Sequence, residues 1–412
     1  MKTRNAVKAA WKELQIPGKP YNKQIEAINH LLDGYDTMVI APTSFGKSAI
    51  YQIPAIVNRN NKWTLVIEPT LALIADQVYQ LQELGVAAEM LTGRNKNKHD
   101  DILNKLSKNE ITILYTTPEQ LRTAAFLREV KYHPPWLVVV DEAHCTLDWG
   151  YTFRSAYLEI KSFIKDLSRR PMIAAFTATA PPEYRDAICN LLGMKRPKIT
   201  VTSLERNNIT LLKEDITNPD IKKRLSRTSY NIKKYGKDGR VVVYCATRKN
   251  VDIVSNYLSK KFPGDVVKCH AYVDTDKREK HEMRFINGSK RIMVATTAFG
   301  MGINVPDIRL VIHFNLPLSV IDYYQQIGRA GRDGKKSHAV LLYHPDDIDL
   351  NRYILDKENL SKTVRNWQDD RLDEMVSIAE SGKCLMQQVL QALGEDHPTT
   401  CRHCTNCQRA RR

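Results

Sequence analysis

Two adjacent carboxylates, Asp141 and Glu142, stand directly after a run of four apolar residues, Leu137 to Val140. An apolar run rich in β-branched residues predicts a strand that is buried on both faces. Ligands of open parallel sheets bind at the carboxyl ends of the strands. The sequence therefore places the two carboxylates where they could hold a divalent cation and activate a water molecule.

A second candidate for phosphate chemistry follows the apolar run Met38 to Ala41. The chain continues there as Pro42-Thr43-Ser44-Phe45-Gly46-Lys47-Ser48 and then has the pattern of a helix. In such a turn the backbone N–H groups cradle phosphate oxygens, the lysine reaches the β- and γ-phosphates, and the serine hydroxyl coordinates Mg²⁺. Ala41 occupies the place of the first glycine of the usual motif, so a chance Gly-Lys-Ser turn is the alternative. The pair Asp141-Glu142 favours the nucleotide site, because such a site needs a second strand end that holds Mg²⁺ and polarises water.

Aromatic and basic residues follow the carboxylates within a few positions. Trp149, Tyr151, Phe153 and Arg154 lie on a predicted loop that also contains Gly150. Rings of this kind stack on bases, and a guanidinium holds a backbone phosphate. We interpret Trp149, Phe153 and Arg154 as candidates for binding a nucleic-acid strand. A place in the hydrophobic core is the alternative for the two rings.

The composition is that of a basic globular protein. The 412 residues include 62 Lys plus Arg against 46 Asp plus Glu, a formal charge of +16. Such a surplus commonly reflects a polyanionic partner, although a merely basic soluble protein is the alternative. No segment holds ~18 uncharged apolar residues. We therefore expect no membrane span and no secretion, and a cytoplasmic location, nucleoid-associated in a prokaryote.

The eight cysteines fall into two groups. Four are scattered and are interpreted as small buried side chains in a reducing compartment: Cys145, Cys189, Cys245 and Cys269. Four lie near the C-terminus: Cys384, Cys401, Cys404 and Cys407. With the predicted helix Leu385 to Leu393 between them, these four fit a tetrahedral Zn²⁺ site with Zn–S distances of ~2.3 Å. An iron–sulfur cluster is the alternative, and His397 or His403 could replace one thiolate.

The motifs together carry a family resemblance. The Lys47 loop and the sequence Asp141-Glu142-Ala143-His144 resemble the motifs of superfamily-2 helicases of the DEAH-box type. Tyr51 to Ala55 and Cys145 to Arg154 narrow the resemblance to the RecQ family of DNA helicases. Further stretches resemble the remaining motifs of that family in order: Glu68 to Gln77, Tyr115 to Leu121, Ala175 to Ala180, Arg291 to Asn304 and Tyr323 to Gly334.

The resemblance implies an α/β fold of two RecA-like lobes with parallel sheets, followed by a small helical zinc-binding subdomain. The expected domains are an ATP-binding lobe at residues 1–204, a second lobe at 205–344 and the zinc-binding subdomain at 345–412. A polar and basic stretch between Leu204 and Gly239, followed by the predicted buried strand Arg240 to Cys245, marks the start of the second lobe.

The resemblance also implies roles for single residues. The expected ligands of ATP and Mg²⁺ are Gln24, Thr43, Ser44, Phe45, Gly46, Lys47, Ser48, Asp141 and Gln325. The expected catalytic residues are Lys47, Asp141, Glu142, Arg329 and Arg332. Arg332 is favoured as an arginine finger, and surface salt bridges are the alternative for both arginines. Trp149, Phe153 and Arg154 would contact DNA, and Cys384, Cys401, Cys404 and Cys407 would hold Zn²⁺.

Two departures from the family pattern concern the nucleotide. Ser44-Phe45 replaces a common Gly-Gly pair, and the aromatic residue and arginine that usually precede Gln24 are not cleanly present between Ile16 and Lys23. Gln24 resembles the glutamine that reads adenine. The strictness of the preference for ATP over other nucleotides is therefore left open by the sequence.

The expected function is that of an ATP-dependent DNA helicase acting in repair and recombination. Translocation 3′-to-5′ on single-stranded DNA and unwinding of tailed duplexes are implied by the resemblance. An RNA helicase, a DNA-dependent ATPase that remodels without unwinding, and a binding module with a decayed site are the alternatives. The sequence ends at Arg412, without the winged-helix domain of many RecQ proteins, which leads us to expect weak affinity for blunt duplex. The sequence assigns no protein partner.

Overall fold

The computed structural model describes residues 2–43, 45–60, 62–148, 155–217, 220–297, 299, 305–358, 360–397 and 399–411. The chain divides into two units, Met1–Ser203 and Leu204–Arg412. Each unit is built on one parallel sheet, so the predicted fold class of two parallel-sheet lobes is confirmed. Within the described ranges, no helix is both long and apolar enough to cross a membrane.

The first unit alternates strands with helices. Its strands are β1 (Thr37–Ile40), β2 (Thr64–Ile67), β3 (Ala88–Leu91), β4 (Ile113–Thr116), β5 (Leu137–Val140), β6 (Met172–Thr177) and β7 (Lys198–Val201). Its α-helices are α1 (Lys2–Glu13), α2 (Asn22–Leu32), α3 (Lys47–Val57), α4 (Leu71–Glu83), α5 (His99–Ser107), α6 (Ala124–Tyr132), α7 (Cys145–Asp148), α8 (Ile160–Asp166) and α9 (Pro182–Leu192). Short 3₁₀ helices span Lys96–Lys98, Pro118–Arg122 and Ser155–Glu159.

The sheet of the first unit has the strand order β3-β4-β2-β5-β6-β1-β7. Every pairing in it is parallel. The apolar strands β1, β2 and β5 are buried along their whole length, as a parallel sheet covered by helices on both faces requires. Val39, Val66 and Val139 pack in one core with α2 and α3. The four-residue apolar runs of the sequence are therefore the central strands.

The second unit has a six-stranded parallel sheet and a longer helical tail. Its strands are β8 (Ile209–Asp215), β9 (Arg240–Tyr244), β10 (Val266–Cys269), β11 (Ile292–Ala295), β12 (Ile308–His313) and β13 (Ser337–Tyr343), in the order β10-β11-β9-β12-β13-β8. Its helices are α10 (Ile221–Tyr235), α11 (Arg248–Lys261), α12 (Thr275–Ile286), α13 (Val320–Ile327), α14 (Asp346–Lys357), α15 (Lys362–Glu380), α16 (Leu385–Ala392) and α17 (Thr405–Arg409).

Strand β8 lies in a stretch that the sequence indicated only as polar and basic. It pairs with β13 at the edge of the sheet over seven residues. An edge strand needs only partial burial, so it tolerates polar residues such as Lys213 and Glu214 that hide its pattern. Lys213 is nevertheless buried, and its Nζ donates to the carbonyl oxygen of Ala379 at 2.6 Å.

The C-terminal helices pack on this edge of the same unit. The backbone N–H of Lys213 donates to the Thr405 hydroxyl at 2.9 Å, and the Tyr343 hydroxyl donates to the Glu380 carboxylate at 2.6 Å. Asp347, at the start of α14, accepts from Arg224 at 2.9 Å. These contacts tie the helical segment after residue 344 to β8, β13 and α10 of the second unit.

Candidate active site and metal centre

Four neighbouring strands of the first sheet, β2, β5, β6 and β1, end side by side. Their last residues are followed by Glu68, Asp141, Ala178 and Ala41 in that order across the sheet. Strand β6 therefore lies between the strand that leads to Lys47 and the strand that leads to the two carboxylates. The N–H of Ala41 donates to the Thr177 carbonyl at 3.0 Å, which extends the pairing of β1 and β6 to the sheet edge.

The described residues Phe45 to Ser48, which run from the turn after β1 into the first turn of α3, have features of a phosphate-binding loop. Gly46 has a φ of +76° and immediately precedes α3, whose first two residues are Lys47 and Ser48. A Cβ at this position would lie 2.9 Å from the amide nitrogen of Gln24, in a backbone conformation that favours glycine. The buried Lys47 side chain points its Nζ back to the Ala41 carbonyl oxygen at 3.1 Å. The lysine side chain and the helix N-terminus thus both lie at the end of β1, as the predicted phosphate-binding loop requires.

Gln24 ties the first turn of α2 to this loop. Its Nε2 donates to the Phe45 carbonyl at 2.8 Å, and its Oε1 accepts from the Tyr21 N–H at 2.8 Å. The rings of Tyr21 and Phe45 stack with centroids 5.4 Å apart. The sequence predicted Gln24 and Phe45 but not Tyr21. The signal available there was an aromatic residue three positions before the glutamine.

The carboxylates after β5 occupy an electrostatically unfavourable position. Burial, together with the charge of Glu142, raises the pKa of Asp141 to about 6, and the charge of Lys47 opposes both effects. The Glu142 N–H donates to the Asp141 carboxylate at 2.8 Å, and Glu142 has a φ of +48°. Such a backbone conformation is uncommon outside glycine and concentrates at functional sites. A buried carboxylate beside a second one fits Mg²⁺, because the ion would supply the missing positive charge.

Glu68 is a third carboxyl at this edge, and the sequence did not single it out as a site residue. It is buried at the end of β2, next to the strand of Asp141. Burial raises the pKa of Glu68 well above its usual range, and the charges of Asp141 and Glu142 raise it further. A glutamate directly after the buried strand Thr64–Ile67 was the available signal.

A hydrogen-bond network joins the carboxylates to the end of β6. The Nδ1 atom of His144 lies 3.0 Å from the Thr177 hydroxyl oxygen and 3.5 Å from the Glu142 carboxylate. The Thr177 hydroxyl donates to the Thr179 carbonyl at 2.9 Å and accepts from the Thr179 N–H at 3.1 Å. His144 and Thr177 are both buried. Polar contacts through His144 therefore link Glu142 to the Thr177-Ala178-Thr179 segment.

In the second unit, the two candidate arginines lie in the turn after α13. Gly331, between Arg329 and Arg332, has a φ of +56°, and a Cβ there would lie 2.4 Å from the Asn208 amide nitrogen. Arg206, which was not among the residues predicted from the sequence, is buried against this turn. Its guanidinium donates to the carbonyl oxygens of Gly328 at 3.2 Å, Ala330 at 2.9 Å and Gly331 at 3.0 Å.

The predicted site residues are thus distributed over both units. The first unit holds Gln24, Thr43, Phe45, Gly46, Lys47, Ser48, Asp141 and Glu142, and the second holds Gln325, Arg329 and Arg332. The predicted ligand Ser44 and the predicted DNA contacts Trp149, Phe153 and Arg154 lie outside the described residues.

The four C-terminal cysteines converge. The Sγ atoms of Cys384, Cys401, Cys404 and Cys407 all lie within 4.8 Å of one another. A tetrahedral Zn²⁺ with Zn–S distances of ~2.3 Å separates its ligands by ~3.8 Å. The N–H groups of Cys401 and Leu385 point at the Sγ atoms of Cys384 and Cys404 at 3.2 and 3.4 Å, as suits metal-bound thiolates. The other four cysteines are buried, as predicted.

Three family models match successive parts of the chain. The DEAD/DEAH box helicase model matches residues 21–187, the helicase conserved C-terminal domain 223–334, and the RecQ zinc-binding model 345–408. The ATP-dependent DNA helicase RecQ of Bacillus subtilis (strain 168) is 35% identical over 390 residues, which are 93% of this chain and 64% of that protein. The probable ATP-dependent DNA helicase RecS of the same organism is 34% identical over 340 residues, 82% of this chain and 67% of that protein. The chain belongs to the RecQ family of helicases.

This family membership also identifies the metal of the cysteine cluster. The RecQ zinc-binding match includes all four cysteines, and a set of four thiolates suits Zn²⁺. Neither histidine alternative is part of the cluster among the described side chains, and the Nε2 atom of His397 instead lies 3.5 Å from Glu205. The prediction of zinc is confirmed.

Solved structures agree with the RecQ assignment at the level of fold. The structure of Mss116p bound to single-stranded RNA and AMP-PNP superposes with a TM-score of 0.69 at 18% identity, covering 94% of this chain and 88% of that chain. At this identity the likeness concerns the fold alone. It supports two RecA-like lobes. The chain spans 64% of the length of the Bacillus subtilis RecQ helicase, so the activity of a whole RecQ protein is a matter of proposal here.

Proposed function

We propose that this chain is an ATP-hydrolysing DNA helicase that translocates 3′-to-5′ on single-stranded DNA and unwinds duplexes with a single-stranded tail. One observation carries the proposal. The ends of β1 and β5 bring Lys47 close enough to Asp141 for its charge to oppose the rise in that buried carboxyl's pKa. A lysine and a carboxylate so placed are the two requirements of a Mg²⁺–nucleotide site.

In this proposal the first unit binds and activates the nucleotide. The N–H groups at the start of α3 and the Nζ of Lys47 hold the phosphates, and Ser48 and Asp141 would hold Mg²⁺. The bound ion would neutralise charge on the β- and γ-phosphate oxygens. Glu142, which keeps a partly exposed carboxylate, orients and deprotonates the attacking water. Gln24, which hydrogen-bonds to the loop at Phe45, contacts the adenine base of the nucleotide.

Arg329 and Arg332 are proposed to stabilise the charge that develops on the transferred phosphoryl group. A guanidinium is well suited to this role, because it remains charged and offers several donors in a fixed plane. The triple contact of Arg206 with the turn that carries these arginines supports the assignment. It fixes the backbone on both sides of Arg329.

The proposal places the nucleic-acid strand beside the carboxylates. Trp149, Phe153 and Arg154 follow Glu142 within 12 positions in the sequence, and their composition suits stacking and phosphate contact. The bond between His144 and Thr177 supplies a route from the nucleotide to the end of β6. DNA repair and recombination, at the nucleoid or in the cytoplasm, are the processes proposed for such a motor.

A strand-displacement assay with polarity controls tests the proposal. Duplexes with a 3′ tail, a 5′ tail or blunt ends are compared at matched salt, with DNA or RNA as the tail, and Lys47→Ala serves as the inactive control. We expect ATP-dependent displacement of the DNA duplex with a 3′ tail. ATP hydrolysis without displacement on any substrate would instead favour a remodelling ATPase, and a preference for RNA tails would favour an RNA helicase.

A further inference from the structure

Helix α10 of the second unit carries an unusual excess of positive charge. Its 15 residues, Ile221–Tyr235, include six Lys or Arg and no Asp or Glu. Lys233 and Lys234 in the last turn favour the helix dipole, but like charges spaced along a helix face destabilise that helix slightly. No motif of the proposed motor includes this helix.

Most of these charges are exposed to solvent, whereas Arg224 is largely buried. Lys222, Lys233 and Lys234 of α10 are exposed, as are Lys237 just after the helix and Lys336 before β13. The buried side of α10 is formed instead by Leu225, Asn231 and Ile232 among others. We call the five lysines together with Tyr230 the basic face.

Carboxylates of the described segments pair with the two arginines of α10 but not with the lysines of the basic face. Arg227 pairs with Glu214 at 2.7 Å, and Arg224 pairs with Asp347 at 2.9 Å. Among the ion pairs of the described residues, none joins the five lysines of the basic face to a carboxylate. Burial lowers the pKa of the nearby His338, and the charges of Lys336 and Lys234 lower it further. The charges of Lys336 and Lys234 therefore both act at His338.

Aromatic rings stand among these charges. Tyr230 is 46% exposed. The Arg227 guanidinium lies 4.5 Å and the Lys234 ammonium 5.5 Å from the centroid of its ring. Lys234 also lies 4.9 Å from the ring of Tyr235, which contacts the ring of His338 at 4.4 Å. An exposed ring flanked by cations is the composition of a surface that tracks a phosphate backbone and stacks on bases.

We infer that the basic face of α10 is a second binding surface for single-stranded nucleic acid, separate from the motor residues at the sheet edge of the first unit. The lysines contact backbone phosphates, and Tyr230 stacks on a base. An acidic protein is the alternative partner. It would pair with the lysines, but it would not account for the exposed ring of Tyr230 among them. The inference rests on the proposed function, since it assumes that the chain works on nucleic acid.

The first test uses the salt dependence of binding. Lys233→Ala/Lys234→Ala is compared with Lys260→Ala/Lys261→Ala, which removes the same charge from the last turn of the neighbouring helix α11. Binding of the full chain to labelled oligo-dT is measured over a range of salt concentrations. Each lost phosphate contact lowers the slope of log K against log salt by about 0.7 for a single strand. We expect the first pair to lower the slope by about 1.4 and the control pair to leave it unchanged.

The second test addresses stacking. Tyr230→Ala is compared with Tyr353→Ala, which removes another exposed tyrosine with a lysine, Lys357, over its ring, but from the acidic helix α14. We expect Tyr230→Ala to weaken oligo-dT binding about tenfold, Tyr230→Phe to restore it, and Tyr353→Ala to have no effect. The inference would be overturned if Tyr230→Ala and Tyr353→Ala bound oligo-dT with equal affinity. It would also be overturned if the two double lysine variants showed equal salt slopes.

The same samples separate this inference from the proposed function. ATP turnover at saturating DNA should be unchanged in the α10 variants, because none of the substituted residues belongs to the nucleotide site. Absence of DNA-stimulated turnover in the wild-type chain would refute the motor. A wild-type chain that is stimulated by DNA, with α10 variants that bind DNA as the controls do, would refute only the basic face.

Discussion

The Nδ1 atom of His144 and the hydroxyl oxygen of Thr177 lie 3.0 Å apart in the interior of the first unit. This hydrogen bond crosses from the loop after β5 to the end of β6. His144 also reaches the Glu142 carboxylate at 3.5 Å. The proposed catalytic glutamate is therefore connected, through one imidazole, to the strand that separates it from the phosphate loop.

Thr177→Val should weaken catalysis by breaking this connection. The substitution keeps the shape but removes the hydroxyl, which leaves buried polar groups of His144 and Thr179 unsatisfied at a cost of ~1–3 kcal/mol of stability. We expect ATP turnover to fall about tenfold, as the loss of an orienting contact does, with a smaller change in KM. Thr200→Val, which removes another buried hydroxyl of the same sheet, is the control. Normal turnover in Thr177→Val would show that the bond has no part in catalysis.

Arg206→Lys should reduce ATP turnover, although residue 206 is not proposed to contact the nucleotide. Lysine keeps the charge but cannot donate to the carbonyl oxygens of Gly328, Ala330 and Gly331 in one plane. The turn bearing the two proposed arginine residues then loses its support. Steady-state kinetics should show kcat about tenfold lower with KM for ATP nearly unchanged. Arg365→Lys, at a guanidinium that pairs with Asp356 in another part of the unit, should match wild type.

Cys404→Ser should remove the metal and loosen the C-terminal helices. Structural zinc contributes its binding free energy to folding, and Cys404 is buried between α16 and α17. Elemental analysis should find one zinc per wild-type chain and less in the variant, whose helical segment after residue 344 should become sensitive to protease. Cys189→Ser, at a buried thiol of the first unit, controls for loss of a cysteine. Stoichiometric zinc in Cys404→Ser would contradict the four-thiolate site.

His313 predicts a pH dependence of stability. Burial lowers the pKa of this imidazole from 6.5 to about 3, despite its contact with Gln326 at 2.8 Å. The unfolded chain therefore binds the proton first as the pH falls. The contribution of His313 to stability is complete above pH 6.5 and is lost toward pH 3, with a slope of at most ~1.4 kcal/mol per pH unit.

The measurement is the free energy of unfolding of the full chain, wild type and His313→Gln, between about pH 7.5 and about pH 4, which covers most of the expected change. The wild type should lose stability relative to the variant as the pH falls. His133→Gln, at an exposed ring in the first unit, is the control in the full chain. Parallel profiles for wild type and His313→Gln would refute the assignment.

The central strands and the metal ligands could be predicted from the sequence for a simple reason. Runs such as Leu137–Val140 and Arg240–Tyr244 are buried on both faces, so their composition alone distinguishes them. Cys401, Cys404 and Cys407 recur every third residue, and a short turn brings such neighbours together. The edge strand β8 was not predicted from the sequence, because an edge position tolerates polar residues that obscure the strand pattern.

The positioning contacts could not be predicted in the same way. Arg206 is more than 120 positions from the carbonyl groups it binds. The Tyr21–Phe45 stack joins two segments without periodic pattern. Contacts of this kind depend on the order of the strands in the sheet, and that order cannot be deduced from the local composition of the sequence. The sequence thus predicted the candidate site residues, and the structure adds the contacts that position the segments around them.

The central claim is that Lys47 and Glu142 are catalytic residues for ATP hydrolysis, and that single-stranded DNA stimulates this hydrolysis. The most direct measurement is ATP turnover by the full chain with and without single-stranded DNA, beside Lys47→Ala and Glu142→Gln. Both residues act on charge that develops in the transition state, so each substitution should cost at least ~10²-fold in turnover while DNA affinity survives. Strong stimulation of the wild type by DNA and loss of turnover in both variants is the predicted result. Turnover within a few-fold of wild type in either variant, or a wild type indifferent to DNA, would contradict the account.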